Sequence, residues 1–224
     1  PNSRTQNLFG QNTTLGFDFY SAHFYMKNIG IFKSLALGDY HVQIGQGLTF
    51  WSGLGFGKSS DIMGVKRNGI GIKPYSSVDE NKFLRGSAFE ISKNNFNLLV
   101  FGSKKMIDAN IIEDSTNTDG DVYISSFQAS GLHRTISELK NKDAILETVG
   151  GGEISYKTKN LKLGFTSAFT HYKGNVKRNL VPYSQFQFNS NFNLVGGFNY
   201  SWNFQNFAFF GELSQSNNGG SAQL

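Results

Sequence analysis

The four histidines are the first side chains to test for chemistry, because imidazole can bind a metal ion or act as a general base. They are His23, His41, His133 and His171, and none lies within four residues of another. No His-x-x-x-His pair or carboxylate-bridged pair, the spacings typical of zinc sites, is present. The chain has no Cys, which also excludes thiolate ligands. The sequence therefore predicts no metal site and favours hydrated histidines at a rim or in a polar interior.

Two stretches imitate ligand-binding loops. Residues 114–121 are rich in Asp, Asn, Ser and Thr, whose oxygens suit a hard cation, but they lack the Glu that closes an EF-hand loop. Residues 55–59 read Gly-Phe-Gly-Lys-Ser, yet Ser52 stands where a phosphate-binding loop requires its first glycine. Both patterns favour ordinary loops, so the sequence predicts no cofactor.

The sequence does not indicate a catalytic centre. Cysteine nucleophiles are excluded because Cys is absent. A hydrolase embedded in a barrel wall is one reading, but it needs a Ser beside a His and an acid or amide in space. No spacing along the chain indicates such a set. We therefore expect a protein that is not an enzyme.

The composition favours strands over helices. Hydrophobic residues make up 38% of the chain, below the roughly 45–50% usual for globular proteins, and they include 22 Phe and 9 Tyr. The chain has 26 Gly but only 3 Pro, a mixture typical of strands joined by tight turns. Its net charge of +5 comes from 21 basic residues scattered among 16 acidic ones. We therefore expect no nucleic-acid binding through this segment.

The clearest strand patterns alternate between an apolar and a polar face. Residues 192–204 place Phe, Leu, Tyr and Trp mainly at every second position, and residues 161–170 do so with Leu and Phe. A period of two puts alternate side chains on opposite faces of a sheet. Residues 39–45 repeat the pattern. In an antiparallel transmembrane β-barrel, the predicted lipid-facing residues are Leu163, Phe165, Phe198, Tyr200 and Trp202, and the predicted lumen-facing residues are Asp39, His41, Gln43, Lys162 and Asn199.

Short connections alternate with long ones along the chain. Short turns are predicted at 27–30, 94–95, 159–160 and 203–206, and long loops at 48–82, 104–149 and 173–191. Outer-membrane barrels have this arrangement, with short periplasmic turns and long extracellular loops. We predict about eight crossings. The strand-like residues 122–130 and a short helix at 137–147 then belong to one loop that does not cross.

Several motifs carry a family resemblance. They are residues 38–48, Trp-Ser-Gly at 51–53, Phe-Gly-Lys-Ser at 56–59, residues 73–81, residues 130–135, Phe-Phe-Gly-Glu at 209–212 and Asn-Gly-Gly at 218–220. Together they resemble the barrel region of a family of Bacteroidetes outer-membrane proteins, members of which often carry an N-terminal helix-hairpin-helix segment. The resemblance implies an outer-membrane location and a barrel with further strands outside this chain. It assigns no activity.

These observations predict one function and leave an alternative. We expect residues 1–224 to be part of a single outer-membrane β-barrel domain that serves as a scaffold, a transport component or a subunit of an envelope complex. Its expected partners are outer-membrane lipid and lipopolysaccharide, with other outer-membrane or periplasmic proteins as candidates. The alternative is a soluble β-sandwich that binds carbohydrate or protein, which the surplus of aromatic over aliphatic residues disfavours.

Two expectations concern the barrel interior and its closure. A barrel wider than about eight strands must fill its lumen with water or a plug. The loop at 48–82 is long enough to be that plug, and we favour a plugged lumen over an open pore. We do not expect this chain to close a barrel by itself.

Overall fold

The computed structural model describes residues 20–55, 64–77, 79, 81–113, 122–128, 136–177, 187–217 and 219–223. Within these ranges the protein is all-β apart from one short helix. The elements are β1 (His23–Ile29), β2 (Phe32–Gln43), β3 (Gly71–Pro74), β4 (Leu84–Lys93), β5 (Phe96–Ile107), β6 (Ala109–Glu113), β7 (Val122–Phe127), α1 (Ile136–Lys140), β8 (Ile145–Lys157), β9 (Leu161–Tyr172), β10 (Asn175–Val176), β11 (Phe192–Phe204), β12 (Phe207–Ser216) and β13 (Gly219–Gln223).

One large antiparallel sheet contains most of these strands. Its order is β1-β2-β4-β5-β8-β9-β11-β12-β13, and β3 pairs with β2 beside this path. Over the described residues β1 pairs only with β2 and β13 only with β12. Among the residues that the structure describes, the sheet therefore has two free edges and no closed barrel is found, in agreement with the expectation that this chain does not close one alone. The predicted all-β antiparallel class is confirmed.

Four short turns join neighbouring strands at one end of the large sheet. They connect β1 to β2, β4 to β5, β8 to β9 and β11 to β12. The turns at 94–95 and 159–160 are at the predicted positions, whereas the first turn is at 30–31 rather than 27–30 and the last is at 205–206 rather than 203–206. Asn94 and Gln205 adopt left-handed backbone conformations in two of them, with φ of 55° and 51°, which suits the twist of a two-residue hairpin. Because successive strands of the path run antiparallel, the long connections β2–β4, β5–β8 and β9–β11 lie at the opposite end. We call the two ends the short-turn end and the long-loop end.

The structure adds a strand at the end of the chain. The sequence predicts a turn-like segment after residue 216, but Gly219–Gln223 forms β13 and pairs with β12. Gly, Ser and Ala have little strand preference of their own, so this strand forms because β12 offers a row of backbone partners. The path therefore has nine strands, where the sequence predicts about eight crossings.

The first strand also differs from its prediction. A strand at 15–26 with a bulge near residue 20 is predicted, whereas the observed β1 is His23–Ile29. Residues 15–19 lie outside the described part of the chain. The irregularity in register falls instead in β2, between Phe32 and Ser34.

The connection between β5 and β8 carries a small second sheet. Here β7 pairs antiparallel with β6 and parallel with β10, over a separate apolar cluster of Ala109, Ile124, Ile145 and Val176. The prediction that residues 122–130 do not join the main sheet agrees with this topology. The predicted helix at 137–147 is too long, because α1 ends at Lys140 and residues 145–147 already belong to β8.

A single segment lies against the inner face of the large sheet. We call residues 40–55 and 64–75 the inner segment; it contains the end of β2 and the whole of β3. At one side of the sheet, the Tyr25 hydroxyl of β1 donates to the Ile72 carbonyl at 3.2 Å. At the other side, the Glu212 carboxylate of β12 accepts the Gln46 N–H at 2.6 Å.

These two contacts require a strongly curved sheet. In a flat sheet β1 and β12, seven strand positions apart, would be separated by about 34 Å. Gln46 lies four residues beyond Val42, the backbone partner of Ile72, and four residues span at most about 14 Å. The sheet must therefore bend into a trough, with the inner segment on its concave side.

Candidate functional site

The convex face of the sheet carries an unbroken row of apolar side chains. Each member is the direct backbone partner of the next across eight strands. Several are highly exposed, with 60% of Ile154, 58% of Phe165 and 51% of Leu213 open to the surroundings. We call this set the outer row: Phe32, Ile91, Leu98, Ile154, Phe165, Phe198, Leu213 and Ala222.

The concave face carries a mostly polar row on seven of these strands, one residue from the outer row on six of them and two residues away on β2, where the register shifts. Its members are also direct backbone partners. They are covered: Glu90 and Glu153 are each 4% exposed and Thr166 is 0% exposed. We call this set the inner row: Ser34, Glu90, Leu99, Glu153, Thr166, Gly197 and Ser214.

Glu212 fastens the inner segment to the far wall of the trough. It is 1% exposed. Its carboxylate accepts backbone N–H groups of Gln46 at 2.6 Å, Thr49 at 2.9 Å and Leu48 at 3.3 Å. Hydrogen bonds to a charged acceptor are stronger than neutral ones. One carboxylate therefore fixes a turn of the inner segment more than 160 residues away along the chain.

Glycines let the inner segment approach the wall closely. A Cβ on Gly45 would lie 2.7 Å from Glu212 Oε2, and a Cβ on Gly197 would collide with the Thr49 hydroxyl. An apolar contact adds to this fit, because the Phe50 and Phe101 rings lie 4.5 Å apart. The backbone of the segment thus reaches the wall where larger residues would hold it away.

Two of the predicted lumen-facing residues meet on the concave face. Asn199 is 5% exposed and its side-chain amide donates to Glu153 Oε1 at 3.1 Å. The Lys162 ammonium lies 3.7 Å from the same oxygen. The five predicted lipid-facing residues lie on the other face, where Phe165 pairs with Phe198 and Leu163 with Tyr200. Trp202 is 44% exposed on this convex face.

The other three predicted lumen-facing residues are buried elsewhere, at the end of β2. Asp39 is 1% exposed and accepts hydrogen bonds from the Arg85 guanidinium at 2.7 and 3.0 Å. His41 packs edge-on against Tyr75, with ring centroids 5.2 Å apart. Gln43 is 7% exposed. The intervening Tyr40, Val42 and Ile44 are buried as well, so this part of β2 is covered on both faces, whereas the sequence predicts one wet face.

A polar cavity of about 470 Å³ remains between the inner segment and the walls. Its lining includes turn residues Asn94, Asn95 and Asn160, which places it at the short-turn end. It also includes Glu90, Glu153 and several lysines. Sequence reasoning missed this cavity, because its residues come from several strands and from the inner segment.

No family model matches the chain, and no curated protein or solved structure matches it. The resemblance to the Bacteroidetes family therefore stays a prediction. In the described part of the chain, no helix is long and apolar enough to span a membrane.

The residues that could do chemistry are dispersed. His23 and His171 are exposed on different strands, and His133 lies outside the described residues. Among the described side chains, no group of three His, Cys, Asp or Glu is arranged to hold a metal ion. Residues 56–60 of the glycine-rich motif and all of 114–121 lie outside the described ranges.

Proposed function

We propose that this chain is a large part of the wall of an outer-membrane β-barrel, whose interior is occupied by its own inner segment. Its function is structural: it is a membrane-embedded scaffold or a subunit of an envelope complex, and it is neither an enzyme nor an open pore. The observation that carries the proposal is the contrast between the outer and inner rows. Water would favour the reverse arrangement.

The contrast in side-chain exposure is present even between neighbouring residues of one strand. Phe198 is 42% exposed, whereas Asn199 beside it is 5% exposed. Exposed apolar surface costs about 25 cal/mol per Å² in water, and a contiguous row across eight strands has no counterpart on an ordinary soluble monomer. In lipid the same row is favourable, and the carboxylates of Glu90 and Glu153 in the inner row find partners inside the trough.

The dimensions of the strands fit a bilayer. Seven strands of the path have 10 to 13 residues, and a tilted transmembrane strand needs about 9–11 residues. Phe198 lies seven residues before the turn at Gln205, which at about 3.3 Å per residue and a tilt of about 40° gives a height of about 18 Å. Phe198 therefore lies near the middle of an apolar band.

Aromatic rings gather near the short-turn end of the convex face, as expected at a membrane interface. Phe96 and Tyr156 have ring centroids 5.1 Å apart, and Trp202 and Phe209 have centroids 5.5 Å apart. The free edges at β1 and β13 need further strands in lipid, because unpaired N–H and C=O groups there have no water to bind.

The soluble β-sandwich is the less favoured function. A sandwich covers the apolar face of one sheet with a second sheet. Over the described residues, the small sheet of β6, β7 and β10 has its own apolar cluster, while Phe165 and Leu213 of the large sheet stay more than half exposed. The covered face of the large sheet instead carries the polar inner row, beside an apolar cluster that includes Ala88 and Phe101.

Cell fractionation tests the location. We expect the protein to stay in the outer-membrane fraction after washes with high salt and with alkaline carbonate, and to be released only by detergent. Release by buffer alone would contradict the proposal.

Single cysteines test the orientation, because the chain has no Cys of its own. We expect Lys140→Cys, in α1 at the long-loop end, to react with a membrane-impermeant maleimide on intact cells. Asn95→Cys, exposed at the short-turn end, should react only after the cells are lysed. The reverse pattern would show that the short turns face outwards.

A further inference from the structure

The lining of the cavity at the short-turn end has an excess of positive charge. It contains six basic side chains and only two carboxylates. Several asparagines add amide groups that can donate and accept hydrogen bonds. The charged residues are Lys33, Lys66, Arg67, Lys157, Lys159 and Lys162, together with Glu90 and Glu153.

Both carboxylates are already engaged with the wall. Glu90 accepts from Lys33 at 2.8 Å, and it also receives the Ser34 hydroxyl at 3.1 Å and the Asn97 amide at 2.9 Å. Glu153 accepts a hydrogen bond from the Asn199 amide and lies 3.7 Å from the Lys162 ammonium. These contacts neutralise two of the six cations and leave the acids little capacity for others.

The remaining lysines have no acidic partner in the described part of the chain. No described carboxylate lies within 4.0 Å of the ammonium groups of Lys66, Lys157 or Lys159. Lys66 is nevertheless held in place, since its ammonium donates to the Ser201 hydroxyl at 2.7 Å across the cavity. A fixed cation beside exposed ones at the mouth would attract a multiply charged anion.

We propose that this cavity binds a phosphate group, either as the free anion or on a small polar molecule. Lysine binds phosphate as a compact point charge, and the amide of a lining residue such as Asn68 suits its remaining oxygens. The volume of about 470 Å³ lies within the range of about 300–1,000 Å³ typical of small-molecule sites. A free phosphate would leave room for water, and a phosphorylated sugar would fill more of it.

Calorimetric titration of the full-length chain in detergent, at 150 mM NaCl, tests this site. The probes are inorganic phosphate and glucose 6-phosphate, with glucose as the uncharged control. We expect saturable binding of at least one phosphate probe and none of glucose. Tighter binding of glucose 6-phosphate than of inorganic phosphate would show that the amides also contact the sugar. Equal affinity for the two probes would show that the site recognises the phosphate group alone. Absence of saturable binding by both phosphate probes would overturn the proposal.

Charge-neutral variants locate the binding. We expect the double variant Lys157→Gln/Lys159→Gln to weaken phosphate binding about tenfold, and Lys66→Gln to weaken it severalfold. Lys93→Gln is the matched control: Lys93 is exposed at the same end, but it follows the cavity residue Ser92 and so points to the opposite face. It should bind within twofold of the unaltered chain. An equal loss in Lys93→Gln would show a diffuse surface charge effect and overturn the assignment.

Discussion

The two faces of the large sheet use the same strands and opposite chemistry. On the convex face, Phe165 is 58% exposed; on the concave face its neighbour Thr166 is 0% exposed. An antiparallel sheet in water normally turns its apolar face to a core and its polar face to solvent. Here the apolar face is open, and the inner segment covers a face that carries the polar inner row as well as an apolar cluster. The difference supports the proposal that the convex face contacts lipid. On the concave face, the inner segment is held by polar contacts together with an apolar cluster that includes Ile72 and Phe101.

The two halves of β2 also differ in how their side chains are buried. In its first half, the side chains alternate between open and covered, as with Leu37 at 44% exposure and Ala36 at 1%. From Tyr40 to Gln43 every residue is buried. Gly38, with φ of 88°, stands before this change, and at such a φ a residue with a side chain would be strained. The first half of β2 belongs to the curved sheet, and its end belongs to the inner segment.

The largest effect is expected at Glu212, which holds the concave side together. Glu212→Ala would leave three backbone N–H groups of the inner segment without their acceptor. We expect a loss of about 3–5 kcal/mol in the free energy of unfolding, because each buried unsatisfied donor costs about 1–3 kcal/mol. Denaturant titration in lipid vesicles measures this.

Ser214→Ala is the matched control for Glu212→Ala. Ser214 lies on the same strand and face and is 9% exposed. Its loss should cost less than about 1 kcal/mol. Similar losses for both variants would show that the inner segment is not held by the Glu212 carboxylate.

A smaller effect is expected on the convex side, where depth should matter. Phe198→Arg, in the outer row, should cost about 2–4 kcal/mol in vesicles, whereas Phe207→Arg beside the short turn should cost about 0–1 kcal/mol. In water both sites are exposed, Phe198 at 42% and Phe207 at 63%. If the convex face contacted water, Phe198→Arg would therefore change the free energy of unfolding little. That result would count against lipid contact.

The smallest effect is expected at Gly197 of β11, and its neighbour Gly196 is the control. Gly197→Ala should cost about 1–3 kcal/mol through overpacking, because its Cβ would meet the Thr49 hydroxyl and lie 2.9 Å from the Leu213 carbonyl. Gly196→Ala points to the convex face, where the nearest atom is 4.0 Å away, and should be neutral. Thermal unfolding of both variants gives the comparison, and equal stability would argue against close packing of the inner segment.

Much of the wall could be predicted from the sequence. The alternation at 161–170 and 192–204 gave the strands and their faces, because β9 and β11 are regular and pair with each other in a single register. The positions of the short turns followed from Asn and Gly between strand patterns. The separation of β7 (Val122–Phe127) from the main sheet followed from counting crossings.

Other features depend on contacts that the sequence does not encode locally. The alternation at 39–45 has the same form whether a strand stays in the wall or bends inward, so the burial of both faces of β2 was not predicted. Glu212 could have been placed on the polar face, since it stands one residue before Leu213 of the apolar face and two before Ser214. Its backbone partners, however, lie more than 160 residues away. The strand β13 has weak propensity and depends on pairing with β12.

Tryptophan quenching by brominated lipid tests the membrane assignment most directly. The chain has two Trp. Trp202 is 44% exposed on the convex face. Trp51 lies in the inner segment on the concave side, where its backbone pairs with that of Gln43. Trp51→Phe leaves only Trp202, and Trp202→Phe leaves only Trp51. In vesicles with bromines on the acyl chains, we predict strong quenching of Trp202 and little quenching of Trp51. Equal quenching of the two, or none of Trp202, would contradict the account.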